Sequence, residues 1–229
     1  MNSDLAQRAP RHPLGVSKPR KRQWLVPIGL VVWSLVPIVA GAFRMTELVG
    51  GADITPANEK FFASPVPIVA HIVSVTVFVL LGAVQFVPSL RLGRRSWHRA
   101  AGRVLVPMGV IAAASGMWMT LFYTRADESG VAMIVVRLIF GAVMAATLII
   151  GAVRIGQRRF ADHGAWMTRA FAIALGAGTQ VLTMAIWAVS GFADEALLAI
   201  PMAAGWVINL VVAEIVIRRR STRRRSTRS

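Results

Sequence analysis

The sequence predicts an all-α integral membrane protein, a polytopic bundle of six transmembrane helices with both termini in the cytoplasm. Of its 229 residues, 55% are hydrophobic and 16% are charged, whereas soluble domains average about 45–50% and about 25%. Six apolar segments are each long enough to cross a bilayer, which takes about 20 residues. The basic residues are concentrated on alternate sides of these segments, as they are in membrane proteins with cytoplasmic basic loops.

Each predicted span is a long apolar run bounded by charged or turn-forming residues. The six runs cover residues 24–43, 66–87, 101–123, 131–153, 165–190 and 196–217. They are too long for buried strands and do not alternate apolar with polar residues, so a β fold is excluded. The first run ends in a possible signal-peptidase site, Ala-Gly-Ala. However, it is longer than a signal peptide's apolar core, and Pro27 and Pro37 are typical of helix ends or kinks in a retained span.

The charge distribution predicts the orientation and divides the chain into three parts. Most of the 26 basic residues lie before the first run, in the 2–3 and 4–5 loops and after the last run, while most acids lie in the opposite loops. Basic residues accumulate on the cytoplasmic side. We therefore expect a basic tail over 1–22, a six-helix domain over 23–217 and an arginine-rich tail over 218–229. Both tails are expected to be cytoplasmic and disordered.

The net charge of +16 is mainly a consequence of this topology. Basic tails beside spans attract anionic lipid head groups, so the bilayer is the expected partner. The arginine-rich tail lacks the interleaved aromatic residues and the folded module of a nucleic-acid binder, so no nucleic-acid partner is expected. Cysteine is absent, which excludes disulfides, thiolate nucleophiles and cysteine-ligated metals.

Ionisable side chains within spans are costly and therefore mark candidate sites. His71 and Arg137 lie in the outer halves of the second and fourth spans. A second group lies near the inner boundary. It comprises His98, Arg103, His163, Arg169 and Glu214. The structural interpretation is that the arginines reach the head groups and that Glu214 pairs with one of them. No nucleophile elbow, zinc-protease motif or Walker loop is present, so whether the protein is an enzyme stays open.

The first functional interpretation is a b-type haem or redox protein. His98 and His163 would be the two axial ligands, because imidazole is a common haem ligand and each heads a column of small residues on its helix. Arg99, Arg103 or Arg169 would neutralise the haem propionates.

Two alternatives remain open beside it. In one, the protein is a small transporter or binder of an anionic or lipid-like molecule, with substrate-binding residues His71, Arg137, Gln180 and Glu214. In that interpretation Asn209 also lies near the middle of the path. In the other, the protein is a structural or regulatory membrane partner without a ligand.

Two motifs tie a histidine to arginines at the entrance of a span. They are His98-Arg99-x-x-Gly102-Arg103 and His163-x-x-Trp166-Met167-x-Arg169. With these motifs, residues 65–217 resemble a family of bacterial membrane proteins catalogued as a domain of unknown function. The resemblance implies a membrane fold in a bacterial plasma membrane and a set of candidate residues, but no reaction.

A weaker, architectural likeness is to six-helix cytochromes that carry two haems between helices two to five. The likeness implies paired histidines on spans three and five, which His98 and His163 would supply. It also implies a pair on spans two and four. His71 is present on span two, but span four offers Arg137 at that position, so the likeness implies one haem at most.

Overall fold

The computed structural model describes residues 21–123, 126–191, 194 and 197–226. These residues form ten α-helices and contain no strand, which confirms the predicted all-α class. The helices are α1 (Leu25–Trp33), α2 (Leu35–Gly50), α3 (Glu59–Ala63), α4 (Pro65–Val84), α5 (Pro88–Gly93), α6 (Arg95–Phe122), α7 (Ala126–Gly156), α8 (Phe160–Ala174), α9 (Gly176–Val189) and α10 (Ala199–Ser226). One turn of 3₁₀-helix, Lys21–Trp24, precedes α1.

Four of these helices, α4, α6, α7 and α10, are each long and apolar enough to cross a membrane. Two bent pairs, α1 with α2 and α8 with α9, are long and apolar enough only when each pair is taken together. The described chain therefore has four to six candidate spans, in agreement with a polytopic membrane protein. The bend in the first predicted span agrees with its prolines, whereas the break in the fifth predicted span was not expected.

The bend between α1 and α2 is 48°, and Pro37 explains it. A proline within a helix has no N–H to give to the carbonyl four residues earlier, and its ring pushes that carbonyl away. The carbonyl in question is that of Trp33, the last residue of α1. The Ser34 hydroxyl also donates to Leu30 O (3.0 Å), a bond to the preceding turn that favours helix bending.

The bend between α8 and α9 is 42° and lies at Leu175. Here two glycines let other helices approach closely. A side chain on Gly176 would collide with the Trp206 indole of α10, and one on Gly178 would collide with the Trp33 carbonyl. The two bends therefore lie against each other, with α10 beside them.

The core lies between α4, α6, α7 and α8 and is built around Phe171. Phe78, Leu105 and Leu148 belong to the same buried cluster. The Phe171 ring fills the space that a side chain on Gly82 would need. Small residues on α4 and α6 thus allow large side chains of neighbouring helices to interlock, which is how membrane helices gain van der Waals contact.

The tails were expected to be disordered, and the structure differs from this for the C-terminal one. α10 continues beyond residue 217 as a helix to Ser226. Extending a helix that is already formed avoids the free-energy cost of nucleating a new one. Residues 1–20 and 227–229 lie outside the described residues.

We predict that Gly82→Ala destabilises the protein and that Gly102→Ala does not. A Cβ at position 82 would lie 2.6 Å and 2.9 Å from Phe171 ring atoms, whereas one at position 102 meets nothing within 4 Å. Overpacking of this kind costs about 1–3 kcal/mol, while replacing an open helical glycine gains up to about 1 kcal/mol. Thermal unfolding in detergent measures both; equal melting temperatures would contradict the packing around Phe171.

Candidate functional site

The strongest polar contact within the spans joins α8 to α10. Arg169 donates to both carboxylate oxygens of Glu214, with Nε–Oε1 at 2.5 Å and Nη2–Oε2 at 3.1 Å. The guanidinium also stacks over Trp166, 4.7 Å from the ring centroid. Sequence reasoning expected Glu214 to pair with an inner arginine, and the structure identifies that arginine as Arg169. Because the pair is bidentate, it fixes the two helices relative to each other.

This ion pair lies near what we call the arginine-rich end of the bundle. That end contains the start of α6, the end of α7, the start of α8 and the end of α10. Its basic residues include Arg94, Arg95, Arg99, Arg154, Arg158, Arg159 and Arg218. Arg99 and Arg103, which were proposed to neutralise haem propionates, are exposed on the helix surface there.

The two histidines proposed as axial ligands are both half-buried at this end. His163 Nδ1 lies 2.9 Å from the carbonyl of Gly151 in α7; since a carbonyl only accepts, Nδ1 is the donor of this bond. The carbonyl of His98 accepts a bond from Gln85 Nε2 at 3.4 Å, which joins the ends of α4 and α6.

Parts of the columns of small residues expected to make room for a haem pack against neighbouring helices. A Cβ on Gly109, in the His98 column, would lie 2.7 Å from Leu148 and 2.8 Å from Phe78. In the His163 column, Met167 packs onto Gly151. At these positions the columns serve helix packing, whereas Gly102, one turn after His98, has nothing within 4 Å of a Cβ. Among the described residues there is no cluster of three or more metal-binding side chains. Haem ligation stays a prediction.

His71 and Arg137 were expected to share one station, but they flank α6 instead. His71 approaches α6 from α4, and its Nδ1 lies 2.9 Å from Ala112 O and 3.2 Å from Ser115 Oγ. The imidazole therefore ties α4 to α6. No hydrogen bond or ion pair between His71 and Arg137 is present in the described part of the chain.

Arg137 lies on the buried face of α7. Met133 and Met144 flank it on that face and are 5% and 6% exposed, whereas Val135 and Ile139 on the opposite face are 46% and 53% exposed. The guanidinium has no acidic or hydrogen-bonding partner among the residues that the structure describes. Arg137 thus brings an uncompensated positive charge towards the interior of the bundle. It lies about 10 Å from Gly130, near the start of α7, at ~1.5 Å per residue.

The elements next to Arg137 are α6 and α10. One turn further along α7, Phe140 stacks on Trp206 of α10, with centroids 4.6 Å apart, and Gly141 contacts Met117 of α6. Residues three and four apart share a helix face. Arg137 is therefore on the face of α7 that packs against α6 and α10, one turn before these two contacts.

The predicted path residues Gln180 and Asn209 lie on α9 and α10. Gln180 Nε2 donates to Met202 O at 3.0 Å. One residue earlier, Thr179 donates to Asn209 Oδ1 at 2.9 Å and accepts from Trp33 Nε1 at 3.1 Å. We call Trp33, Thr179 and Asn209 the midspan junction, because they connect the two bends to α10.

Sequence reasoning did not identify Trp33 or Thr179. In the sequence, Trp33 differs little from the other apolar residues of its run. Only Pro37, which cannot donate a hydrogen bond to the Trp33 carbonyl, could have indicated that this carbonyl is free. Within the junction, the Asn209 Nδ2 atom is buried and has no hydrogen-bond partner among the described residues. Buried amide groups are normally satisfied, so this donor indicates either a ligand or water.

Comparison with known proteins agrees with the resemblance found in the sequence. The profile of a family described as predicted membrane protein (DUF2306) matches residues 68–217. This range begins within α4 and ends within α10, so it contains every candidate residue of the site except Trp33. No curated protein and no solved structure matches this chain.

Proposed function

The chain belongs to this family of predicted membrane proteins of unknown function, and we propose that it binds a small anion within the membrane. The observation that carries the proposal is Arg137, a cation on the buried face of a span without a partner in the described chain. An arginine within a membrane helix costs up to about 2.5–3.5 kcal/mol on insertion scales, the upper value applying to the helix centre. A bound anion would offset that cost.

Two acids of the described helices are engaged elsewhere and are not partners of Arg137. Within the described helices, Glu214 is bound by Arg169 and Glu47 lies 2.5 Å from Arg44. A ligand is therefore the natural counterion. The planar guanidinium has paired donors that match the two oxygens of a carboxylate or of nitrate. We accordingly propose a small planar oxyanion as the ligand.

The other predicted substrate residues have supporting roles in this proposal. Gln180 lies on α9 beside α10, near the level of Arg137. Glu214 neutralises Arg169 and closes the arginine-rich end. His71 holds α4 against α6, the helix that Arg137 faces.

We further propose that each bent pair crosses the membrane once, which gives six spans in a bacterial plasma membrane. The arginine-rich end faces the cytoplasm in this topology, because basic residues are retained on that side. Arg218 and the basic residues that follow it on α10 would then contact anionic lipid head groups, at about 1 kcal/mol each near the surface.

A haem-binding function is the second candidate, and one observation favours it. The Nδ1–H bond from His163 to Gly151 O is the kind of contact that orients an axial histidine with Nε2 free. If His163 is such a ligand, protein expressed with ample haem will show Soret and α bands in a reduced-minus-oxidised spectrum. His163→Ala will then lose them and Arg137→Gln will keep them. Colourless protein would exclude this function.

The anion proposal predicts that nitrate and acetate stabilise the purified protein against heat, relative to gluconate at the same ionic strength. Arg137→Gln abolishes the stabilisation, because it removes the guanidinium. Arg154→Gln is the matched control, since it removes an arginine from the other end of the same helix and leaves the stabilisation intact. Melting curves in detergent measure the effect. Equal stabilisation of wild type and Arg137→Gln would refute the proposal.

A further inference from the structure

We infer that the protein transports its anion and that the anion crosses the middle of the membrane at the midspan junction. This inference rests on the proposed function, since it takes the anion bound at Arg137 as the cargo. It adds an activity, translocation, and a second binding position, Asn209. Neither the bends nor the junction is needed for binding at Arg137.

The junction has the architecture of a binding site in a transporter. Two helices interrupted near mid-membrane meet there, and interrupted helices are where membrane transporters place their ligands. Pro37 leaves the Trp33 carbonyl without its helical donor, and that carbonyl lies against Gly178 at the start of α9. The first bend therefore places a backbone carbonyl without its helical donor beside the polar side chain of Thr179, which binds Asn209.

Asn209 supplies the group that would meet the anion. Its Oδ1 already accepts from Thr179, and Thr179 accepts in turn from Trp33 Nε1. These bonds fix the orientation of the amide and leave Nδ2 as a buried donor without a partner among the described residues. A donor in this state needs an acceptor. An oxyanion oxygen is such an acceptor.

The candidate positions are spaced along the membrane normal. Phe140 and Trp206 are stacked, and both helices run towards the arginine-rich end. Arg137 is three residues before Phe140, and Asn209 is three residues after Trp206, so about 9 Å separates their levels at ~1.5 Å per residue. Glu214, with Arg169, lies about 7 Å further along α10 by the same rise.

These positions define a route. The anion is held first at Arg137, passes to Asn209 Nδ2, and leaves past Arg169 when the Arg169–Glu214 pair opens. The bends at Ser34 and Leu175 allow α1 and α8 to move relative to α2 and α9, so access can change from one side of Asn209 to the other. No bond is made or broken in the cargo.

The test is nitrate efflux from proteoliposomes, followed with a nitrate-selective electrode and corrected with protein-free vesicles. Asn209→Leu removes the amide, and Asn209→Asp keeps the acceptor for Thr179 but removes the donor. Both are expected to slow efflux at least tenfold while nitrate still stabilises the purified protein through Arg137. Thr183→Val is the control: its hydroxyl donates to Pro201 O at 2.7 Å, one turn away from the junction, and its efflux should stay at the wild-type rate.

The outcomes separate this inference from the proposed function. If nitrate and acetate do not stabilise the wild type, the proposed function fails and the inference fails with it. If they stabilise it but wild-type vesicles release nitrate no faster than protein-free ones, only transport is overturned. Wild-type efflux from both Asn209 variants would overturn the role of the junction. Nitrate stabilisation of each variant shows that it is folded.

Discussion

The absence of water in the hydrocarbon core is the constraint on which this structure depends. Each polar group there must form its hydrogen bonds within the protein, because an unsatisfied group costs several kcal/mol of free energy. Most of the described groups obey it. The hydroxyls of Ser115, Thr120 and Thr168 donate to carbonyls one turn earlier. His71 and His163 bond to carbonyls of a neighbouring helix, so their polarity holds helices together. The exceptions among the described groups include Arg137 and Asn209 Nδ2, and also Gln85 Oε1 and Arg154 Nε at the arginine-rich end. The functional proposals rest on the first two.

The membrane fold could be predicted from the sequence because run length and loop charge respond directly to the bilayer. The bends could not be predicted with the same clarity. Pro37 indicated a kink, but the bend at Leu175 contains no proline and depends on Trp206 lying where Gly176 has no side chain. That is a contact between positions 30 residues apart, and local propensity carries no information about it.

The site was predicted in part for the same reason. Depth in a span follows from residue number, so the sequence placed Arg169 and Glu214 at one level, and their pairing was among the expected options. The rotation of each helix about its axis, and the helices that it contacts, do not follow from residue number. The glycine columns beside His98 were therefore taken as space for a cofactor, although Gly109 accommodates Leu148 and Phe78. His71 and Arg137 share a predicted depth but lie on α4 and α7, two helices that both pack against α6.

The central claim is that a soluble anion can reach Arg137 on the buried face of α7, and that this side chain does not face lipid. The chain has no cysteine, so single cysteines can be placed at position 137 and at lipid-facing position 135 without background. We predict that a charged, membrane-impermeant thiol reagent modifies Arg137→Cys in liposomes and leaves Val135→Cys unmodified, while both react after unfolding. An unreactive Arg137→Cys, or equal rates at the two positions, would contradict the account.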